Sequence, residues 1–340
     1  MLSNLIRLLD KGGLPIHLVF HITYRCNSKC KTCFLWSQLN PKINDELTTK
    51  EIDKISKNFK NILWLQIGGG EPFIRRDVPE ICSSFSYVDN ITIPTNCLLS
   101  VKRAMEEILI GNDTSNFIIT LSLDGVGKLH DEIRGIAGNF EKFNKNYVEL
   151  DKLRDRFPNL ELSVNTTISN LNCSHLLEIR DYVRNNLDVK MHSFEFLRGN
   201  PKNRSVHLPD LGTCEKINNM IMSNIRFYDY GKQFSSKIIK KIKLHEQDII
   251  FRTMSERKKQ IECCAGRLSA VINPYGDVFA CEDIGDKMGN LREVSYDFSR
   301  VWYSDRASIV RKKVKNCFCT HSCFNFINVI FSKRELLKTL

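Results

Sequence analysis

No stretch of this 340-residue chain is apolar over the ~20 residues that a bilayer span requires. The opening segment MLSNLIRLLDKGG carries leucines, but Arg7, Asp10 and Lys11 break any apolar core, so it does not read as a signal peptide. Without export signal or span, the expected compartment is cytoplasmic and reducing. A disulfide framework has no place there, and the thirteen cysteines read instead as metal ligands or reactive groups. Internal repeats and low-complexity tracts are also missing. So are zinc-finger spacing, an RNA-binding signature and the aromatic–basic interleaving of nucleic-acid surfaces, which argues against a nucleic-acid partner.

What is present is a core-forming composition, 42% hydrophobic, and a formal charge of +11. That charge points to an anionic partner. Its densest source, SSKIIKKIKLHEQDIIFRTMSERKKQ (235–260), has apolar residues at helical spacing with basic ones between them, and so also reads as the solvated face of an amphipathic helix.

Short apolar runs alternate with helical patterns. Strands are expected at 16–22, 62–68, 91–94, 117–123, 161–168 and 192–197, and helices near 48–60, 77–86, 100–110, 139–155 and 172–186. Six strands with helical crossovers imply an α/β fold with a parallel sheet curled into a partial (β/α)6 TIM-like barrel, whose chemistry sits at the carboxyl ends of the strands. The expected division is an N-terminal extension (1–14), the barrel core (15–200), a helical linker completing it (201–260) and a small C-terminal cysteine-rich domain built of a β-hairpin plus helix (261–340).

Nine cysteines fall into two groups: Cys26, Cys30 and Cys33, then Cys263, Cys264, Cys281, Cys317, Cys319 and Cys323. Cys82, Cys97, Cys173 and Cys214 read as small buried hydrophobes. The first group, in HITYRCNSKCKTCF, follows the first strand. Three thiolates on one loop can hold three corners of an iron–sulfur cube and leave the fourth iron open. Zinc sites usually close with four protein ligands, and no fourth Cys or His lies nearby.

With that spacing in that position the sequence resembles the radical S-adenosylmethionine (radical SAM) enzymes, over nearly the whole chain. The resemblance implies that Cys26, Cys30 and Cys33 hold a [4Fe-4S] cluster whose open iron is chelated by SAM. Reductive cleavage of SAM then yields a 5′-deoxyadenosyl radical that removes a substrate hydrogen atom. Thr32 stands where an aromatic residue often precedes the last cysteine, with Phe34 following. GGGEPFIRRD after strand two is similar to the family's GGEP motif, so Gly69, Gly70, Glu71 and Pro72 are expected at the SAM amino group. Glycine lets backbone approach a ligand, and the Glu71 carboxylate can accept from an ammonium. LSLDGVGKLHDEIRG after strand four resembles the ribose-binding segment, which assigns Ser122 and Asp124, with Arg134 a weaker candidate. Asn165 and Thr167 after strand five, and Arg198 after strand six at the SAM carboxylate, complete the implied contacts. TNC (95–97) replaces the TNG of many relatives, so Cys97 is either a substituted turn residue or a hydrogen-atom donor.

The C-terminal run CCAGRLSAVINPYGDVFACEDIGDKMGNLRE, closing on CFCTHSCF, resembles the SPASM or "twitch" extension that carries auxiliary [4Fe-4S] clusters. Its Asn273-Pro274-Tyr275-Gly276-Asp277 is a hairpin turn. A full SPASM extension has a longer closing array. One auxiliary cluster is therefore expected, with ligands drawn from Cys263, Cys281, Cys317, Cys319 and Cys323, and a second only with an open or non-cysteine corner. Cys264 is set aside on the C-x-A-G-R pattern. His321 reads as a hydrogen-bonding histidine or as a non-cysteine ligand.

The expected function is hydrogen abstraction followed by oxidation or bond formation at the auxiliary cluster, on a small molecule or peptide. Epimerisation and peptide maturation are alternatives, although only 25 residues precede Cys26, short for the peptide-recognition module of many maturases. An external one-electron reductant of flavodoxin or ferredoxin type is the implied partner, and the substrate is expected to be anionic. Two other classes are a non-catalytic iron–sulfur electron carrier, which leaves Gly69–Pro72 and Ser122–Asp124 without a role, and a zinc-stapled nucleic-acid binder.

Overall fold

Seven consecutive buried residues, His17–Thr23, form β1, and burial on both faces marks it as a central strand. The computed structural model describes residues 13–42, 45–230 and 234–339; the extension assigned to 1–14 lies outside the described residues as far as residue 12. Parallel strands β2 (Trp64–Gly69), β3 (Asn90–Thr95), β4 (Asn116–Ser122), β5 (Leu160–Ile168) and β6 (Met191–Phe196) follow in chain order. Each lies within two residues of its expected position, because strands buried against helices read as short apolar runs.

The crossover helices are α1 (Thr49–Ser56), α2 (Val78–Ser83), α3 (Lys102–Ile110), α4 (Lys128–Arg134), α5 (Asn139–Arg154) and α6 (Leu176–Asn186). Thr48 and Glu51 close a capping box that starts α1. α4 was not expected; it is seven residues long and begins at Gly127 without a side-chain cap. The 201–260 segment holds two helices, α7 (Leu211–Phe227) and α8 (Phe234–Glu256).

The hairpin strands β7 (Ser269–Ile272) and β8 (Asp277–Phe279), with β9 (Lys287–Asn290), do not form a layer of their own. β7 pairs in parallel with β1, so among the described residues nine strands make one sheet in the order β6-β5-β4-β3-β2-β1-β7-β8-β9, open rather than closed. The chain ends in α9 (Phe298–Trp302), α10 (Asp305–Val314), α11 (Ser322–Phe331) and α12 (Lys333–Leu337).

Strands β3, β4 and β6 alternate between buried and half-buried residues. Ile91, Ile93, Phe117, Ile119 and Leu121 face the helices, while the other face carries polar side chains such as Thr92, Thr120 and Ser122. A parallel sheet covered on both sides would be apolar on both; this one keeps a polar concave face. α11 closes part of it, since Ser322 donates to Glu195 on β6 (2.7 Å), Cys323 to Gln66 on β2 (3.3 Å), and Phe324 packs on the His17 ring of β1 (5.5 Å).

Candidate metal and cofactor site

The loop after β1 is held from three sides. Glu46 accepts from the Thr23 hydroxyl (2.6 Å) and the Tyr24 amide (2.9 Å). Asn40, itself at a positive φ of 53°, accepts from the Cys26 amide (2.9 Å) and donates to the Cys26 carbonyl (3.0 Å). The free carbonyls at the end of α4 accept from the loop: Ile133 from the Lys31 amide (2.9 Å), and Arg134 from the Lys29 amide (3.2 Å) and the Ser28 hydroxyl (3.1 Å). The HDEIRG segment is thereby accounted for, apart from the exposed Glu132, which pairs with Lys128. The ring of His130 accepts from the Asp124 amide (3.1 Å), Asp131 accepts from the Gly138 and Phe140 amides, and Arg134 pairs with Asp124 (3.1 Å). A Cβ on Gly135 would stand 2.7 Å from the Lys29 carbonyl oxygen.

Ser28 brings two thiols together, its hydroxyl 3.0 Å from Cys30 Sγ and its amide 3.5 Å from Cys26 Sγ. Burial raises the Cys26 thiol and pushes Cys33 up to about 11, and the neighbouring thiols add to both shifts. Such thiols ionise when a cation is bound. Backbone amides already point at the sulfurs, Ser28 at Cys26 and Leu35 at Cys33, which favours the thiolate form. Soft donors spread over one loop, with amides aimed at sulfur, suit an iron–sulfur cube.

The glycine-rich turn packs directly on this loop. Gly70 and Glu71 amides donate to the Thr23 (2.8 Å) and Arg25 (2.9 Å) carbonyls. A Cβ on Gly69, where φ is +111°, would lie 2.2 Å from the Thr23 carbonyl oxygen, and one on Gly70 2.1 Å from that of Arg25. Both glycines are thus required by close approach to protein backbone. The Glu71 carboxylate is buried and accepts from the Asn96 amide (2.7 Å), the Thr95 hydroxyl (3.1 Å) and the Phe73 amide (3.3 Å); burial lifts its pKa to about 7 against these donors. Pro72 starts the 3-10 turn that follows.

Asn96 is the site residue that sequence reading passed over. Its side-chain amide donates to Asn27 (2.8 Å) and lies 3.8 Å from Cys26 Sγ, tying the end of β3 to the cysteine loop. The only sequence signal was its place in TNC, where attention fell on Cys97. That cysteine is fully buried at a positive φ of 61°, its thiol 3.8 Å from the Thr95 carbonyl, which is the conformation a turn glycine would adopt.

Of the remaining expected contacts, Asp124 is a buried brace, accepting from the Thr167 amide (2.9 Å) as well as from Arg134. Ser122 and Asn165 face each other in register across β4 and β5, and Asn165 accepts from the Ser193 hydroxyl of β6 (3.0 Å), so a polar row runs from the last residue of β4 to the middle of β5 and β6. Arg198 is committed to acidic partners, Asp283 at 3.2 Å and Glu282 at 3.7 Å, and stacks over Phe34 at 5.0 Å.

In the second group Cys263 helps to raise Cys317 and Cys319, and Cys319 helps to raise Cys281, although among the described residues no three His, Cys, Asp or Glu side chains are gathered closely enough to hold a metal ion. Burial is the larger cause and pushes Cys319 up to about 12. Amides of Ala265 (3.5 Å), Ile284 (3.3 Å) and His321 point at Cys263, Cys281 and Cys319. Cys323 stands apart, its thiol directed to Gln66 among Glu195, Glu282 and Arg198. Buried Glu282 bridges His21 on β1 (2.8 Å) and His321 Nε2 (2.5 Å), while the buried His321 Nδ1 has no hydrogen-bond partner among the described residues, and the loop after Cys281 reaches from His21 of β1 to Arg198 beyond β6.

A family model for the radical SAM superfamily matches residues 20–182, and one for the SPASM iron–sulfur cluster-binding domain matches residues 263–324. The antilisterial bacteriocin subtilosin biosynthesis protein AlbA of Bacillus subtilis is 27% identical over 298 residues, covering 84% of this chain and 59% of AlbA. GTP 3′,8-cyclase of Staphylococcus epidermidis is 24% identical over 333 residues, covering 88% of this chain and 93% of the cyclase. The crystal structure of Streptococcus suis SuiB bound to S-adenosylmethionine superposes with a TM-score of 0.62 at 20% identity, over 86% of this chain and 66% of SuiB, a likeness of fold. The chain therefore carries a radical SAM domain and a SPASM iron–sulfur cluster-binding domain.

Proposed function

We propose that this enzyme carries out an oxidative, bond-forming modification of a peptide. The observation that carries the reading is the arrangement of two thiol sets about one polar concave sheet face, the first after β1 and the second joined to that face through Glu282, Ser322 and Cys323. Cys26, Cys30 and Cys33 would hold the SAM-binding [4Fe-4S] cluster, and Cys263, Cys281, Cys317 and Cys319 a single auxiliary cluster. When bound, the first cluster supplies the electron for SAM cleavage and hence for hydrogen-atom abstraction, and the second accepts the electron left on the substrate.

The residues of the chain contribute position and polarity. Asn40, Asn96 and the α4 carbonyls fix the cysteine loop, and the Gly69–Gly70 backbone fixes the turn that presents Glu71. Ser122, Asn165 and Ser193 offer hydroxyl and amide groups to a ribose-like ligand across β4, β5 and β6. The Glu282–His21–His321 bridge covers the opening with a buried hydrogen-bonded network; against the upward push of burial, hydrogen bonds from the two histidines hold the Glu282 carboxyl well below the ordinary range.

The peptide reading draws on relatives: AlbA by its printed role, a PqqA peptide cyclase of Bradyrhizobium diazoefficiens at 24% identity over 218 residues, and SuiB, whose structure with precursor peptide SuiA aligns with 89% of this chain. Nucleotide cyclisation is a second reading, favoured by the near full-length match to GTP 3′,8-cyclase. Anaerobic incubation of the reduced, reconstituted enzyme with SAM and candidate precursor peptides, or with GTP, decides between them. The proposal expects 5′-deoxyadenosine in step with a peptide lighter by two hydrogens. Turnover of GTP alone, or methyl transfer without 5′-deoxyadenosine, contradicts it.

A further inference from the structure

Helix α11, SCFNFINVIF, is mostly apolar, yet it buries two asparagines, Asn325 and Asn328, each 3% exposed, among Phe324, Ile327 and Val329. A buried amide costs stability unless it is hydrogen-bonded, and at a spacing of three these two share one face of the helix. That face borders a pocket whose lining also includes Cys263, Cys317 and Cys319. A cube spreads its thiolates more widely than a single ion does, and this pocket, edged by three thiols of the second set, is the space an auxiliary cluster would take.

Both asparagines are committed to the segments that carry those thiols. Asn328 Oδ1 accepts from the Cys264 amide (2.7 Å), its Nδ2 donates to Asn325 Oδ1 (3.3 Å), and Asn325 Nδ2 donates to the Cys319 carbonyl (3.2 Å). This ladder ties the segment after α8 to the segment before α11. An amide nitrogen carries two hydrogens, so Asn328 has one left beyond the bond to Asn325. It serves the Cys263 thiol: burial pushes that thiol up, while the Ala265 amide (3.5 Å) and the Asn328 side chain oppose the push by bonding the thiolate form. No step described above uses either asparagine.

Resting on the reading of the second thiol set as an auxiliary cluster, we propose that Asn328 is a positioning residue that donates a side-chain N–H to the Cys263 thiolate and so raises the potential of that cluster, with Asn325 holding the Asn328 amide in place. Reduction adds negative charge to the cluster, and a donor aimed at one of its sulfurs favours the reduced form. The helix thereby eases electron acceptance from the substrate. The test uses the protein with Cys26, Cys30 and Cys33 replaced by Ala, so that the second set alone binds iron, and follows reduction by redox titration monitored by electron paramagnetic resonance. Asn328→Asp and Asn328→Leu both remove the donor, the first with an added charge and the second without. Each is expected to keep the parent's iron, about four per chain, and to show at the parent's midpoint a reduced-to-oxidised ratio about tenfold lower, as for loss of one hydrogen bond to a charged group. Val329→Ala, which loosens the packing of α11 on α8, is expected to lower the thermal midpoint and leave the ratio within about twofold. A ratio unchanged in both Asn328 variants, lowered in only one of them or lowered equally by Val329→Ala overturns the inference, and so does loss of iron from either Asn328 variant. Absence of iron from the parent, seen before any variant is compared, contradicts the underlying reading instead.

Discussion

Gly70, flagged in the sequence as part of a cofactor turn, is held in the structure by a different physical constraint. GGGEP stands out in the sequence as a cofactor turn, yet what the structure displays is backbone against backbone, with the space for a Cβ already filled by the Arg25 carbonyl. Gly70→Ala must push the turn off the loop that carries Cys26. The substitution is expected to destabilise by about 1–3 kcal/mol, as overpacking does, and to lower iron bound by the first thiol set while sparing the second. Iron content and thermal midpoint measure this; full iron in Gly70→Ala would show that the loop docks without the close approach. The same contrast holds for Asp124, expected at the ribose and found bracing Arg134 and Thr167. Side-chain type and strand position were readable, whereas hydrogen-bond partners far along the chain, such as Asn96 for Cys26, were not.

Among the elements, the parallel strands were legible because burial makes them continuous apolar runs, and α4 was not, because seven residues without a cap leave no periodic signal. The basic stretch 235–260 proved to be the amphipathic helix α8, which buries Ile242 and Ile249 against Val329 of α11. It also buries Glu246, whose pKa burial raises to about 7. The protonated form is favoured in the folded state, so this group's contribution is fully present below the ordinary carboxylate range and is lost as pH rises through about 7. Wild-type stability is expected to fall by on the order of 1–3 kcal/mol from this source between pH 5 and 8. Glu246→Gln should remove that part of the slope and be the more stable protein at pH 8. Parallel urea midpoints for the two proteins across the range would show otherwise.

For the whole molecule, the cysteine groups announced two thiol sites, but not that β7 would continue the sheet from β1 or that α11 would plug its concave face. Register between segments some 250 residues apart, His17 against Ser269, is set by tertiary packing that no local pattern encodes. That continuity joins the loops that carry the two thiol sets to one sheet. Among the described residues no helix is long and apolar enough to cross a membrane.

The most direct test is iron and sulfide content after anaerobic reconstitution, for the wild type and for the protein with Cys26, Cys30 and Cys33 all replaced by Ala, each then reduced with SAM and assayed for 5′-deoxyadenosine. The account predicts about eight irons in the wild type and about four in the variant, two cubes against one, with nucleoside formed by the wild type alone. Unchanged iron in the variant, zinc in place of iron, or iron without SAM cleavage would contradict it.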